Sequence, residues 1–438
     1  MKLHRVMSVA LLVVCAGVGV LRAEAPFEYV KGTAHHILPE THNQESGYFS
    51  LNEGPNGNLY VGTAKYGVNA YLVQFDPRSA EQRIVIDAHE LCDIDATGMA
   101  AQAKIHTRNY TAESGRVYVG TKQGYPQEEG QKPTDYRGGY LMRYDPHEDK
   151  SECLGIVPFL GHGVIDVVAD EARNIMYVVI QHDATRQALW MRRPIEPEDG
   201  RDHDDVQWRG LYDDPTFYGQ TLLDERGHAH MLGRDGKFIS YDPDNDALRV
   251  RPMQLDGETF EAPERQPPTW IVAPDGRTAY IIYMSTPNLY RLDLTSDSET
   301  PALEDLGKTI DVPDDEKTDS RCALSFGPDG NVYVVVREVN DTGFGEGKIH
   351  HLVRYNPRSD TMSDLGILAV ENSDFYDFEA ARASDQSKLL HSGFRELPDG
   401  TLVPDLVHLA MTVSEAGDVY VTILYPFTLL RVEGVAAP

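Results

Sequence analysis

The sequence predicts an all-β fold made of repeated four-stranded antiparallel units, and three observations carry that reading. First, residues 321–366 hold one complete unit: an apolar strand at 323–326, a Pro328-Asp329-Gly330 turn and a β-rich strand at 332–336, then a third strand ending in Tyr355-Asn356-Pro357 and a fourth ending in Leu365-Gly366. Second, the second-strand aromatic of this unit recurs as Tyr60, Tyr118, Tyr177, His230, Tyr280, Tyr333 and Tyr420, which makes seven copies. Third, the turn before that strand is drawn mostly from residues that tolerate positive φ or preset a tight turn, as in Pro55-Asn56-Gly57, Ser114-Gly115, Pro274-Asp275-Gly276 and Ala416-Gly417. Third strands end likewise in Phe75-Asp76-Pro77, Tyr144-Asp145-Pro146 and Tyr241-Asp242-Pro243. Repeats built of strands alone, at a spacing of roughly 40 to 60 residues, mark a β-propeller. The count predicts seven blades. A strand at 28–38, paired with the C-terminal strand at 428–432, would close the ring and leave no exposed edge.

Residues 1–25 start with basic side chains, continue through an apolar run at 6–21 and end in Ala23-Glu24-Ala25, the pattern of a secretory signal peptide. The remaining chain, 26–438, reads as a single propeller domain. Blade two, about 104–156, carries an excursion at 122–140 rich in Gly, Pro, Tyr and charge, which predicts a surface loop. Blade three begins near His162 and includes Gln181-His182-Asp183; blades four and five begin near Tyr218 and Thr269. Between blades six and seven, residues of about 369–404 form an insertion that no blade needs. Its Phe375, Tyr376, Phe378, Leu389, Leu390 and Phe394 predict an ordered loop.

The formal charge is −29, and removal of residues 1–25, with three basic groups and one acidic group, leaves −31. Such a surface repels nucleic acid and anionic membranes, so neither is an expected partner. The expected location is secreted or periplasmic. Cys92, Cys153 and Cys322 remain after cleavage, an odd count that excludes a full disulfide framework. Cys92 and Cys153 fall at the ends of neighbouring blades, where pairing is open to them; Cys322 reads as a small buried residue of an inner strand.

Inner strands of a propeller begin around one mouth of the channel, so polar residues at their starts converge there. These are Asn52, Glu53, His106, Arg108, His162, Tyr218, Gln220, Trp270, Arg321 and His408. Two chemistries fit the set. His106, His162 and His408 provide three imidazoles for one divalent metal ion, Mn, Zn or Ca. Alternatively, His106, His162 or Tyr218 acts as a general base while Arg108 or Arg321 neutralises a carboxylate, as β-elimination from a uronic acid requires. The plain alternative for each histidine is a hydrogen-bonded channel residue. Tyr125, Tyr136 and Trp270 are candidates for stacking on a carbohydrate ligand, or else packing residues.

Other signals are weaker. Asp242, Asp244 and Asp246 alternate like a calcium loop but lack its Gly and closing Glu. His35-His36 and His350-His351 read as surface positions, and Asn109-Tyr110-Thr111 and Asn340-Asp341-Thr342 match a glycosylation acceptor.

The segments KIHTRNYTAESGRVYVGTKQGYP, DYRGGYLMRYDP, GHGVIDVVADEARNIMYVV and LPDGTLVPDLVHLAMTVSEAGDVYVTILYPFTLLRV resemble a family of secreted propeller proteins of planctomycetes and related polysaccharide-degrading bacteria. The resemblance covers most of the mature chain and implies the fold and the compartment. More distantly, a seven-bladed secreted propeller with channel histidines is similar to oligogalacturonate lyases and ulvan lyases. That similarity implies elimination on uronate-containing glycans by channel-mouth His, Arg and Tyr, in some cases with a metal. Their local motifs differ from this chain's, and no residue carries over. The expected function is therefore a polysaccharide or oligosaccharide lyase. A non-catalytic propeller that binds a glycan or a protein partner is the alternative. A six-bladed metal-dependent lactonase is disfavoured by the blade count and by the lack of a Glu-Asn-Asp ligand set.

Overall fold

A computed structural model describes residues 24–41, 45–125, 129–132, 135–197, 201–263, 267–313, 318–320, 323–384, 392–406 and 408–437. The predicted signal peptide lies almost wholly outside them. Among the described residues no helix is long and apolar enough to cross a membrane.

Alternating apolar residues bounded by tight turns produce antiparallel meanders along the whole chain. In the best-marked unit, Leu324–Phe326, Val332–Val339, Lys348–Asn356 and Thr361–Val370 lie side by side in sequence order. Runs of four in the same order begin at Glu45–Glu53, Tyr110–Thr111, His162–Asp170, Leu222–Leu223 and Pro268–Val272. His408–Val413, Val419–Ile423 and Thr428–Val432 form the last run.

The strand Tyr29–His36 joins two of these units. Its second half pairs antiparallel with the C-terminal strand, Thr33 opposite Arg431 and His36 opposite Thr428. Its first half runs parallel to Thr361–Val370, Tyr29 opposite Ile367. That parallel pairing was not expected, and Gly366 permits it. Gly366 has φ +120°, and a Cβ there would stand 2.6 Å from the Glu28 carbonyl oxygen. The fourth strand therefore continues past Leu365-Gly366 to Val370 instead of ending there.

The recurring second-strand residues Tyr60, Tyr118, Tyr177, His230, Tyr280, Tyr333 and Tyr420 are all buried. Third-strand tyrosines brace the turn that follows: Tyr144, Tyr241 and Tyr355 donate to Asp149, Asp246 and Asp360 at 2.7, 2.9 and 2.7 Å. Those aspartates take φ of 51°, 52° and 54°, a region that short polar side chains tolerate. This bracing accounts for the alternating aspartates. Asp242 accepts the Asp244 and Asn245 backbone N–H groups, Asp244 pairs with Arg173, and Asp246 serves Tyr241 and Arg209. The resemblance to a calcium loop is thus a turn motif.

Cys92 and Cys153 form a disulfide with Cα atoms 5.4 Å apart; Cys322 lies outside the described residues. Part of the insertion is ordered as the helix Phe378–Ser384 and the strands Phe394–Glu396 and Leu402–Pro404. These strands extend the sheet at Val370. Phe375, Phe378 and Phe394 pack edge to face within it. Leu389 and Leu390 lie outside the described residues.

His350-His351 is not a surface pair. His350 is fully buried, with Nδ1 on the Pro404 carbonyl at 3.1 Å. His351 bridges three strands, Nε2 to Glu338 at 2.8 Å and Nδ1 to Asp364 at 2.7 Å. Burial opposes its charge, but the two carboxylates outweigh that and push its pKa up to about 9. A raised histidine pKa stabilises the fold fully below its unfolded value near 6.5, and that contribution disappears as pH rises through about 9. His351→Gln should therefore cost on the order of 3 kcal/mol at pH 6 and much less at pH 10. Denaturation midpoints of both proteins at the two pH values test this; an equal loss at both would refute the charged bridge.

Candidate functional site

The two-residue strand Lys104–Ile105 bridges the first two units, with Lys104 opposite both Ala64 and Lys122. His106 and Arg108 follow on the way to the next inner strand. His106 is 1% exposed. Phe49 meets its ring edge to face at 4.8 Å, and Tyr218 stacks on it at 5.5 Å with 29° between planes. Arg108 places its guanidinium 4.9 Å over Phe49 and donates from Nη1 to the Tyr218 carbonyl at 3.2 Å. Lys122 lies with its ammonium 5.4 Å over the Tyr218 ring and pairs with Asp183 at 2.6 Å. Gln181 completes the circuit: its Nε2 donates to Asp183 at 3.0 Å and its Oε1 accepts the Tyr218 N–H at 3.4 Å. Deeper in, Asp166 accepts the Thr221 N–H at 2.7 Å.

Burial, then the charges of Lys122, Lys104 and Arg108, hold the His106 pKa well below the usual histidine range, so it is neutral at pH 7. The cations around this ring disfavour a proton and a metal ion on it alike. Burial lowers the Lys122 pKa against the pull of Asp183. Asp166, fully buried, is pushed up to about 7, with Arg108 opposing the rise.

His162 opens the inner strand of the next unit, opposite His182. Its Nδ1 lies 3.0 Å from the Leu160 carbonyl, which can only accept, so Nδ1 carries the proton and Nε2 presents a lone pair. That Nε2 is buried with no hydrogen-bond partner among the described residues. Burial and the nearby His182 keep the pKa low. Gly163 brings this strand against the cluster, for a Cβ there would stand 2.3 Å from Lys122 Cγ.

Tyr218 has φ 55°. A bulky residue in this region is strained by about 1–3 kcal/mol, and such strain gathers at functional sites.

His106, Arg108 and Tyr218 therefore come together as the inner-strand positions implied, whereas the His162 ring packs against Phe159 and His182, and only its neighbour Gly163 meets the Lys122 stem. Only the backbone of His408 is described, opening the strand His408–Val413 opposite Ile423. Arg321 lies outside the described residues. Among the described residues no three His, Cys, Asp or Glu side chains gather as a metal site.

Two of the three aromatic candidates need correction. Trp270 is 1% exposed and donates from Nε1 to the Gln220 carbonyl at 3.0 Å. Tyr136 is fully buried and donates to Gln102 at 2.7 Å. Neither offers a face to a sugar. Tyr125 does, at 53% exposure, edge-on to Tyr66 and with the Lys104 ammonium 5.4 Å from its ring. Both sequons are structural: Asn109 donates to the Tyr60 carbonyl and Asn340 to the Phe344 carbonyl, each buried.

Residues not singled out from the sequence are Phe49, Lys104, Lys122, Asp166 and, as site members, Gln181 and Asp183. Polar side chains at the end of the apolar strand Ile175–His182 were the available signal for the last two.

No family model and no curated protein matches the chain. Solved structures do match it. A catalytically inactive virginiamycin B lyase from Staphylococcus aureus, with quinupristin, is 8% identical over 92% of this chain and 99% of that one, with a TM-score of 0.52. The Cps50 (Swd1) β-propeller domain from Myceliophteria thermophila is 10% identical over 89% and 98%, with a TM-score of 0.51. The periplasmic gluconolactonase of Pseudomonas aeruginosa is 15% identical over 86% and 96%, with a TM-score of 0.48. The fold is that of a β-propeller.

Proposed function

We propose that the chain is a secreted lyase that cleaves uronic-acid-containing glycans by β-elimination, and that its strand units form one ring of seven blades closed by Tyr29–His36. The observation that carries the chemistry is the buried cluster around His106. Lys104, Arg108 and Lys122 bring positive charge around a neutral His106 and the strained Tyr218, in a chain of net charge −29. Asp183 offsets the charge of Lys122, and Lys104 and Arg108 leave the cluster locally basic, which favours a carboxylate where the acidic surface otherwise repels acid sugars.

In the proposed step the lone pair of His162 takes the proton α to the carboxylate, and the freed electron pair forms the carbon–carbon double bond. The glycosidic carbon–oxygen bond breaks, and the departing oxygen takes a proton from the Tyr218 hydroxyl. Arg108, with Arg321 as a second candidate, neutralises the developing enolate charge. His106 remains neutral beneath Tyr218. A divalent ion on His106, His162 and His408 is disfavoured by the cations around His106, and the chelator arm of the assay below tests it. The Cys92–Cys153 disulfide supports an oxidising, extracytoplasmic location, and a lyase stands among the proteins that share the fold.

Full-length protein incubated with a panel of uronate-containing glycans should generate the ultraviolet absorbance of a conjugated double bond. Loss of that signal on adding a chelator would assign the histidines to a metal. Glycan binding without any absorbance change would refute the lyase in favour of a binding propeller.

A further inference from the structure

We propose that Asp166 acts through Arg108 to make carboxylate binding at the candidate site depend on a proton: protonated, Asp166 leaves the charge of Arg108 to the ligand, and ionised, it cancels that charge. The inference rests on the lyase reading for its ligand class and assigns a residue that the elimination step does not use. Asp166 stands on the inner strand His162–Asp170, where the pairing is irregular, with Val164 opposite Ile180 and Asp166 opposite Val179. A bulge of this kind re-aims a side chain. Asp166 is 1% exposed, and its carboxylate accepts the Thr221 N–H at 2.7 Å. Arg108 reaches the same segment at the Tyr218 carbonyl. A carboxylate and a guanidinium from two different units thus hold one short stretch of chain between them.

Burial makes the charged form of Asp166 costly and pushes its pKa up to about 7, while the charge of Arg108, then hydrogen bonds from Thr221 and Val167, limit the rise. Such a coupling is mutual, so an ionised Asp166 weakens the field that Arg108 offers to anything else. A uronate carboxylate arriving at Arg108 competes with Asp166 for that field and repels its charge. Binding of the one therefore favours a proton on the other. The site takes up a proton as it takes a uronate, and its affinity falls as pH rises through about 7. Asp183, the other carboxylate of the cluster, does not titrate in this range: burial would raise its pKa, but Lys122 outweighs burial and keeps it below the usual value. Its charge is constant where that of Asp166 changes.

The test compares full-length wild type with Asp166→Asn, reading the binding of galacturonate and of neutral galactose by calorimetry at pH 5.5 and 8.5. Asparagine keeps an acceptor for the Thr221 N–H and fixes the neutral state. Wild-type affinity for galacturonate should fall about tenfold from the lower pH to the higher, the effect of one added negative charge several ångströms from a carboxylate. Asp166→Asn should bind within about twofold at both pH values, and galactose should show no such dependence in either protein. Repeating the titrations at pH 7.5 in two buffers of different ionisation heat should reveal uptake of about half a proton by wild type and none by Asp166→Asn. His106, His162 and His182 are common to both proteins, so their own titration cancels in the comparison. Asp166→Ser, also neutral, repeats the test if the asparagine variant does not fold. An Asp166 that only supports the fold would weaken binding equally at both pH values and leave proton uptake unchanged, which would overturn the proposal. So would a wild-type affinity independent of pH, or no measurable binding of galacturonate. Proton-coupled binding as expected, with no double bond formed from any uronate glycan, would leave Asp166 and Arg108 standing as a carboxylate site and remove the lyase.

Discussion

Arg108→Met should lower the rate of elimination about 10²–10³-fold, the usual effect of removing one group that stabilises charge developing in a transition state. Enolate charge develops only as the proton leaves, so the loss should appear in kcat more than in KM. Methionine retains much of the stem that packs over Phe49, and Arg108 is only half-buried, so the fold should survive. Initial rates on an oligogalacturonate, with circular dichroism as a control, decide the matter. A variant within about twofold of wild type would exclude Arg108 from the chemistry, because even one oxyanion donor is worth far more.

Trp270→Ala should destabilise the protein by about 3–5 kcal/mol, the range for removing a large buried aromatic. The indole packs in a core cluster with Phe238, Tyr283 and Leu292. Its loss also leaves the Gln220 carbonyl without the Nε1 hydrogen bond. Urea denaturation should show a lower midpoint with unchanged slope. If stability were unchanged and glycan affinity fell instead, Trp270 would be a sugar platform after all.

The two residues just discussed show what could be read from sequence. The grouping of Arg108 with His106 and Tyr218 was legible because inner-strand starts follow directly from the turn and strand pattern. Trp270 was misread, as was Tyr136, because an aromatic at such a start has the same local signature whether it faces the channel or the next blade. Only its neighbours in space decide. Lys122 and Asp183 were missed for a related reason. They come from different units and become a close pair, Lys122 buried and Asp183 half-buried, only once those units pack together. The fold was more accessible than the site, since tight turns and third-strand tyrosines act locally, each bracing its own hairpin. The parallel contact of Tyr29–His36 with Thr361–Val370 has no local signal beyond Gly366.

That strand also governs when folding can finish. Thr33 and Arg431 are neighbours in the sheet but stand almost the whole chain apart. An early segment must therefore wait for a late one, and contacts of such long sequence separation form slowly, after the entropy of closing the intervening chain has been overcome. Until then Tyr29–His36 and Thr428–Val432 each present a bare edge that can recruit another molecule's strand. The same pairing that unites the finished molecule makes its nascent form dependent on being kept apart from copies of itself.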